Sequence, residues 1–305
     1  MHHAAARSAG EDAAREAPAS PGLLRDLVAL AKPRITFMVL VTTAGGLWLA
    51  PGMMSAVAIA ATLIGTAMVV SSANALNCWM ERDVDKHMAR TKSRPLPAGR
   101  MEPQVALVFG LVLGALSVPL LALAVNPLTG LLAAIALVSY VWIYTPMKQV
   151  SPAALLVGSI PGAMPPLMGW TAATGSLEAP GIVLFGILFL WQLPHFLAIA
   201  MFRQNEYAKA GIKVMPAVRG NARTKLHAAI YAGALVPMSL LLVPLGIAGT
   251  IYLVIAGVGG VLFAALCIAG LRRDAGNKWA RAVFLASLVY LPLLFAALAV
   301  DVAVR

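Results

Sequence analysis

The sequence predicts an all-α, polytopic membrane protein with nine spanning helices. Three observations carry that prediction. Sixty per cent of the 305 residues are apolar and 11% are charged, whereas a soluble domain has about a quarter charged. The apolar residues fall in successive runs long enough to cross a bilayer. Once those runs are threaded through a membrane, every Lys and Arg except Arg305 lies on one side.

The elements follow in order. Residues 1–22 are Ala-rich, polar and punctuated by Gly and Pro, and are expected to form a disordered cytoplasmic tail. They lack the short apolar core of a cleaved signal peptide. Residues 23–305 then read as one membrane domain, with spans at 35–52, 55–80, 103–124, 127–146, 151–172, 180–201, 227–246, 249–270 and 281–300. Asn126-Pro127 breaks the third from the fourth. Pro161, Pro165 and Pro166 are expected to kink the fifth and shape a cavity. Only Pro244 to Gly249, with no polar residue, divides the seventh from the eighth. Cys78 and Cys267 fall in or at spans without metal-ligand spacing, and are expected to pack as small apolar residues.

The net charge of +11 would suggest nucleic acid in a soluble chain. Its placement excludes that partner here. The cations cluster before the first span and after the second, fourth, sixth and eighth. The positive-inside rule then puts the N-terminus in the cytoplasm and the C-terminus outside, in a multi-pass protein of the cell inner membrane surrounded by lipid.

The chemistry concentrates where the second span ends. Asn77, Glu81 and Asp85 recur at spacing four, which places them on one helical face over roughly 12 Å of rise. Ionisable groups beside a membrane span are costly and mark functional sites. Oxygen ligands on one face suit Mg²⁺, and Arg90 and Arg94, following before Pro95, suit phosphate oxygens. An ordinary solvated helix cap is the competing reading. Asn77, nearer the membrane than the acids, argues against it, while Asp83 points round the helix and fits it.

Two further clusters end on the same side. The sixth span carries Pro194-His195-Phe196 and leads into Arg203, Asn205, Glu206, Tyr207 and Lys213. The fourth ends in Tyr144 and Lys148, the only cation of its loop. His195 is read either as a hydrogen-bonded structural residue or as a contact to an apolar-bound cofactor-like substrate. His227 reads as an interfacial residue.

Asn77, Glu81 and Asp85 with Arg90-Thr91 and Arg94-Pro95-Leu96 resemble the first signature of the UbiA-type intramembrane prenyltransferases. Tyr144 and Lys148 resemble their fourth-span signature, and the nine-span count agrees. Residues 32–36, 162–170, 194–198 and 205–212 are most similar to the branch that prenylates heme. The resemblance runs from about residue 24 to the last span. Two positions depart from the superfamily pattern: Glu81 stands where Asp is commoner, and the second acidic motif is thinned to Asn205-Glu206.

The resemblance implies helices around a central cavity and a prenyltransferase that moves the farnesyl group of farnesyl diphosphate to the 2-vinyl group of heme b. It implies catalytic roles for Asn77, Glu81, Asp85 and Lys148, and a diphosphate cradle of Arg90, Arg94, Tyr144, Lys148, Asn205, Glu206 and Lys213. It implies Mg²⁺ held by Asn77, Glu81, Asp85 and Glu206, heme contact at His195, and room for protein partners from the heme pathway. No acid in the middle of a span offers a general base. Two alternatives stay open: prenylation of an aromatic or quinone precursor, and a secondary transporter. A transporter should place polar groups near the mid-plane, whereas these crowd one side.

Overall fold

The computed structural model describes residues 22–304. The expected tail, residues 1–22, lies outside the described residues except for Gly22, and so does Arg305. Among the described residues the regular elements are all helical. They are α1 (Leu23–Ala31), α2 (Pro33–Leu49), α3 (Ala56–Met80), α4 (Pro103–Ala124), α5 (Pro127–Val138), the short turn α6 (Thr145–Met147), α7 (Ala154–Thr174), α8 (Ala179–Phe202), α9 (Gln204–Lys209), α10 (Met215–Leu240), α11 (Thr250–Ala269) and α12 (Asn277–Val304).

Each predicted span falls on one of these helices. Six are long and apolar enough to cross a bilayer: α3, α4, the run Pro127–Met147, α8, α11 and α12. The bent pair α1 and α2, at 45°, makes a seventh candidate. The chain is thus a multi-pass helical membrane protein, with six to seven such spans among the described residues where the sequence predicts nine. α7 and α10 are long but diluted. Gly, Ser, Pro and Thr interrupt the apolar residues of α7, and Arg219, Arg223 and Lys225 occupy the first half of α10.

The breaks have local causes. The Asn126 side chain accepts from the Thr129 N–H at 2.9 Å and donates to the Thr171 carbonyl at 2.8 Å. It caps α5, with Pro127 at the first helical position, and ties that end to α7. The weak break near Gly246 is real: α10 stops at Leu240, and Gly246 adopts φ 74 in the turn that follows. The signal absent from that stretch sits fifty residues on. The buried Asp301 carboxylate accepts from the N–H groups of Gly249 and Ile251 and so caps α11. α7 stays helical through Pro161, Pro165 and Pro166.

The interior has two main parts. One joins α3, α4, α5 and α7 around Val69, Leu121, Leu132 and Leu167. The other joins α8, α10, α11 and α12 around Leu184, Leu235, Tyr252 and Val283. Cys78 and Cys267 are free and buried within such packing, as expected. Lipid-like solvent gives helices no hydrophobic reason to associate, so close backbone approach matters. α2 and α7 achieve it with glycine. A Cβ on Gly169 would strike the Thr43 carbonyl, and one on Gly46 would strike the Pro166 carbonyl.

That approach is testable. Gly169→Ala is expected to lower the unfolding temperature of the detergent-solubilised protein by several degrees, corresponding to about 1–3 kcal/mol of overpacking. Gly233→Ala on α10, where nothing lies within 4 Å of the new carbon, should leave it unchanged or raise it slightly. Equal transitions for the two variants would remove the α2–α7 contact from the account.

Candidate active site

The membrane end of α3 builds the first wall. Buried Ser, Thr and Asn side chains line its later turns, and Ser72 donates to the Gly110 carbonyl of α4 at 2.7 Å, fixing the pair. α3 ends at Met80, so the predicted face does not continue on an unbroken α-helix. The spacing survives through backbone bonds. Glu81 N–H donates to the Asn77 carbonyl at 2.9 Å, and Asp85 N–H to the Glu81 carbonyl at 2.8 Å. A 3₁₀ turn, Val84–His87, then carries Asp85 inward and leaves Asp83 outside. Asp85 is 0% exposed, whereas the Asp83 side chain is 70% exposed. A hydrogen bond from Lys86 holds the Asp83 carboxyl below its usual range. The solvated role expected for Asp83 is the one observed.

Each inward acid meets a cation from the predicted phosphate set. Glu81 Oε1 lies 2.6 Å from Lys148 Nζ, and Glu81 Oε2 accepts from Asn77 Nδ2 at 2.8 Å. Asn77 also donates to Thr145 Oγ1 at 3.2 Å. Asp85 Oδ2 accepts from Arg94 Nη1 at 2.7 Å. Thr91 Oγ1 donates to the Asp85 carbonyl at 2.8 Å and closes the loop beneath the pair.

The fourth span delivers Lys148 through irregular geometry. Residues Ser139–Tyr144 form a π-helical segment, a widening common at functional sites. It turns Tyr144 so that its ring lies 4.7 Å from the Lys148 ammonium. Burial opposes the Lys148 charge, but Tyr144 and the Glu81 carboxylate outweigh it and raise the lysine above its ordinary value.

The third cluster reaches the same mouth by backbone and ring contacts. Lys213 N–H donates to the Lys148 carbonyl at 2.9 Å, and the Arg90 guanidinium stands 5.9 Å from the Tyr207 ring. Arg203 donates to Glu206 Oε2 at 2.8 Å, and that bond holds the Glu206 carboxyl below its usual range. Asn205 and the Lys213 side chain are exposed and take no part in the bonded network among the described residues. Sequence reasoning missed Lys32. Its Nζ donates to Asn74 Oδ1 at 3.2 Å, one turn inward of Asn77, and its charge bears on Arg94, Lys148 and Glu81. Lys32 is the one non-glycine residue with positive φ among the described residues. The available signal was a lysine heading the first span opposite a polar residue buried in the second.

His195 lies deeper and apart. Ser287 Oγ donates to the Phe284 carbonyl at 2.6 Å, so its single proton is used and it accepts from His195 Nδ1 at 2.7 Å. That leaves Nε2 with the lone pair. Trp191, Phe196 and Phe284 surround the ring at 4.9–5.2 Å.

The donor set fits a hard cation only in part. Among the described residues no three His, Cys, Asp or Glu side chains gather as a metal cage. One carboxylate oxygen, Asp85 Oδ1, is nevertheless out of solvent without a hydrogen-bond partner among the described residues. A carboxylate oxygen left in that condition is suited to a divalent cation.

A search of protein families matches residues 39–288 to the UbiA prenyltransferase family. The chain belongs to that family. A protoheme IX farnesyltransferase of Anaeromyxobacter sp. (strain Fw109-5) is 54% identical over 285 residues, covering 93% of this chain and 96% of the relative. One from Myxococcus xanthus (strain DK1622) is 53% identical over 281 residues, covering 92% and 96%. Among solved structures, a digeranylgeranylglyceryl phosphate synthase superposes with a TM-score of 0.80 at 18% identity, covering 91% of this chain and 98% of that one. A UbiA homologue from Archaeoglobus fulgidus bound to GPP and Mg²⁺ gives 0.65 at 17% identity, covering 90% and 99%. These two likenesses establish the shared fold.

The ion pairs make a prediction about the acids. Asp85→Asn and Glu81→Gln should each reduce prenyl transfer by at least about a hundredfold, as expected for loss of a charge that stabilises the transition state. Both variants should still insert and fold. Asp83→Asn, in solvent, should stay within about twofold of the parent. Parental rates for Asp85→Asn and Glu81→Gln at limiting Mg²⁺ would detach these residues from the chemistry.

Proposed function

We propose that this protein transfers the farnesyl group of farnesyl diphosphate to the 2-vinyl group of heme b, giving heme O and diphosphate. The observation that carries the reading is the pair of relatives above 50% identity, each aligned over more than nine-tenths of both chains and each called a protoheme IX farnesyltransferase. The site chemistry agrees with it. Acids, a phenol and a group of cations meet at one mouth of an apolar bundle, which favours a one-sided catalytic site over a transport path. The heme-directed relatives also favour this acceptor over an aromatic or quinone precursor.

The reaction needs charge placed where it develops. As the allylic carbon–oxygen bond breaks, its electron pair leaves with the diphosphate. Arg90, Arg94 and Lys148, with Lys32 and Lys213 beside them, meet that growing charge. Their pairing with Glu81 and Asp85 holds Lys148 and Arg94 in position beforehand. A bound Mg²⁺ would add Lewis-acid charge on the leaving oxygens, and Asn77, Glu81, Asp85 Oδ1 and Glu206 would hold it. Apolar walls exclude water from the allylic cation. The vinyl π electrons then form the new carbon–carbon bond. The cation left beside the porphyrin takes water and loses a proton to become the hydroxyl.

The reading includes nine spans around a central cavity, because α7 packs against α2, α5 and α8, and α10 against α8 and α11, as spanning neighbours do. It includes an inner-membrane location with a cytoplasmic N-terminus and an outward C-terminus, supported by the one-sided cations. Heme-pathway proteins are natural partners for exchanging an insoluble substrate. His195 lies roughly 10 Å inward from the end of α8 at Phe202, and so is assigned to heme rather than to diphosphate.

Purified protein with heme b, farnesyl diphosphate and Mg²⁺ should yield heme gaining one farnesyl group and one hydroxyl group by mass. Prenylation of 4-hydroxybenzoate with unaltered heme would overturn the acceptor. In the same assay Arg94→Met and Lys148→Met should lower kcat/KM for farnesyl diphosphate by more than about tenfold while heme affinity holds. Because each also strands a buried acid, at about 3–5 kcal/mol, folding must be followed in parallel. Collapse of heme affinity with unchanged diphosphate dependence would place these cations on the porphyrin carboxylates.

His195→Ala should change the absorption spectrum of bound heme and spare farnesyl diphosphate binding. An unchanged spectrum, heme affinity and rate would return His195 to a packing role with Ser287.

A further inference from the structure

A cavity of about 360 Å³ lies between the start of α7, α8 and the first half of α10, and none of the acids or cations of the acidic mouth lines it. Its floor is apolar, formed by Leu155 and Leu197. Its rim carries Arg219, Arg223 and His227, with Tyr231 deeper. The layout is ordered along the helix. Gly220, at φ 79, interrupts α10, and Arg223, His227 and Tyr231 then recur at spacing four on one face of the resumed helix. Arg223 and Tyr231 stand roughly 12 Å apart along that axis.

Neither Arg219 nor Arg223 has an ion pair, hydrogen bond or ring contact among the described residues. The loop after α3 uses most of its cations internally, as Arg94 does on Asp85 and Arg100 on Asp26. The two arginines here are left to face something outside the chain. The apolar walls run on into exposed Leu156, Leu226 and Ile230, which in a spanning protein face lipid.

We propose that this groove binds one anionic phospholipid from the cytoplasmic leaflet. The phosphate sits between Arg219 and Arg223, and the upper acyl chain lies along Leu226 towards Tyr231. With Arg223 at headgroup level, a rise of roughly 12 Å carries Tyr231 into the hydrocarbon. Basic pockets between helices on the cytoplasmic side suit such headgroups. A porphyrin is the competing occupant, with carboxylates on the arginines and iron on His227. The opening onto lipid-facing residues favours the phospholipid, and so does the contact of the His227 ring with Tyr231 at 5.8 Å.

The test is native mass spectrometry of the full chain released from detergent with phosphatidylglycerol or phosphatidylcholine. The parent should retain one phosphatidylglycerol in preference to phosphatidylcholine. R219Q/R223Q should weaken that retention on the order of tenfold. R272Q/R273Q, which removes the same charge from an exposed loop, should retain it. Leu155→Gln, with both arginines intact, should also weaken it. Equal retention by the two double variants would overturn the proposal. So would a thermal shift from inorganic phosphate equal to that from phosphatidylglycerol, which would reduce the groove to a bare anion patch. Loss of heme binding in R219Q/R223Q with phosphatidylglycerol retained would assign the groove to the porphyrin and equally overturn it.

Discussion

Two short ion pairs at the end of α3 set the terms for the rest of the molecule. Lys148 meets Glu81 and Arg94 meets Asp85 in surroundings where an unpaired charge would cost several kcal/mol. Neither acid can be brought to that depth without a cation, and the cations come from different parts of the chain. Lys148 arrives from the fourth predicted span and Arg94 from the loop after the second. The pairs therefore demand that those segments converge on one mouth. The same requirement places groups of opposite function side by side: acids suited to a metal, and cations suited to the phosphates that metal would accompany.

Much of the fold reads as support for that convergence. The π-helical segment Ser139–Tyr144 offsets the helix register and brings Tyr144 and Lys148 inward. Gly46 and Gly169 let α2 and α7 touch backbone to backbone, which fixes the bundle wall. The Lys213 N–H on the Lys148 carbonyl joins the loop after α9 to the same mouth. Lys32, in an unusual left-handed conformation between α1 and α2, adds a positive charge that no carboxylate among the described residues neutralises directly. Strained backbone of this kind is held where the surrounding structure over-determines it. Here that means a bend of 45° between two helices and a hydrogen bond to Asn74.

The cations of the loops are put to different uses. Some are spent on internal pairs, some crowd the acidic mouth, and Arg219 and Arg223 face a separate apolar groove. A bare count of cations in the sequence cannot separate these uses. Their neighbours separate them: carboxylates for Arg94 and Arg100, an aromatic ring for Arg90, leucines for Arg223.

The sequence alone determined the helical class, the places of the long apolar helices and the cluster Asn77, Glu81 and Asp85, because apolar run length and residue spacing are local properties. Asn126-Pro127 announced its break for the same reason. It also marked Arg94 and Lys148, since cations beside a span are conspicuous. Only the tertiary structure decided who pairs with whom. Asp85 reaches Arg94 through a 3₁₀ turn rather than along a helix, His195 spends Nδ1 on Ser287, and Asp301 caps α11 from the far end of the chain. Each of those depends on distances between segments remote in sequence. A buried polar group takes whichever partner the packing brings within about 3 Å, and no spacing along the chain encodes that choice.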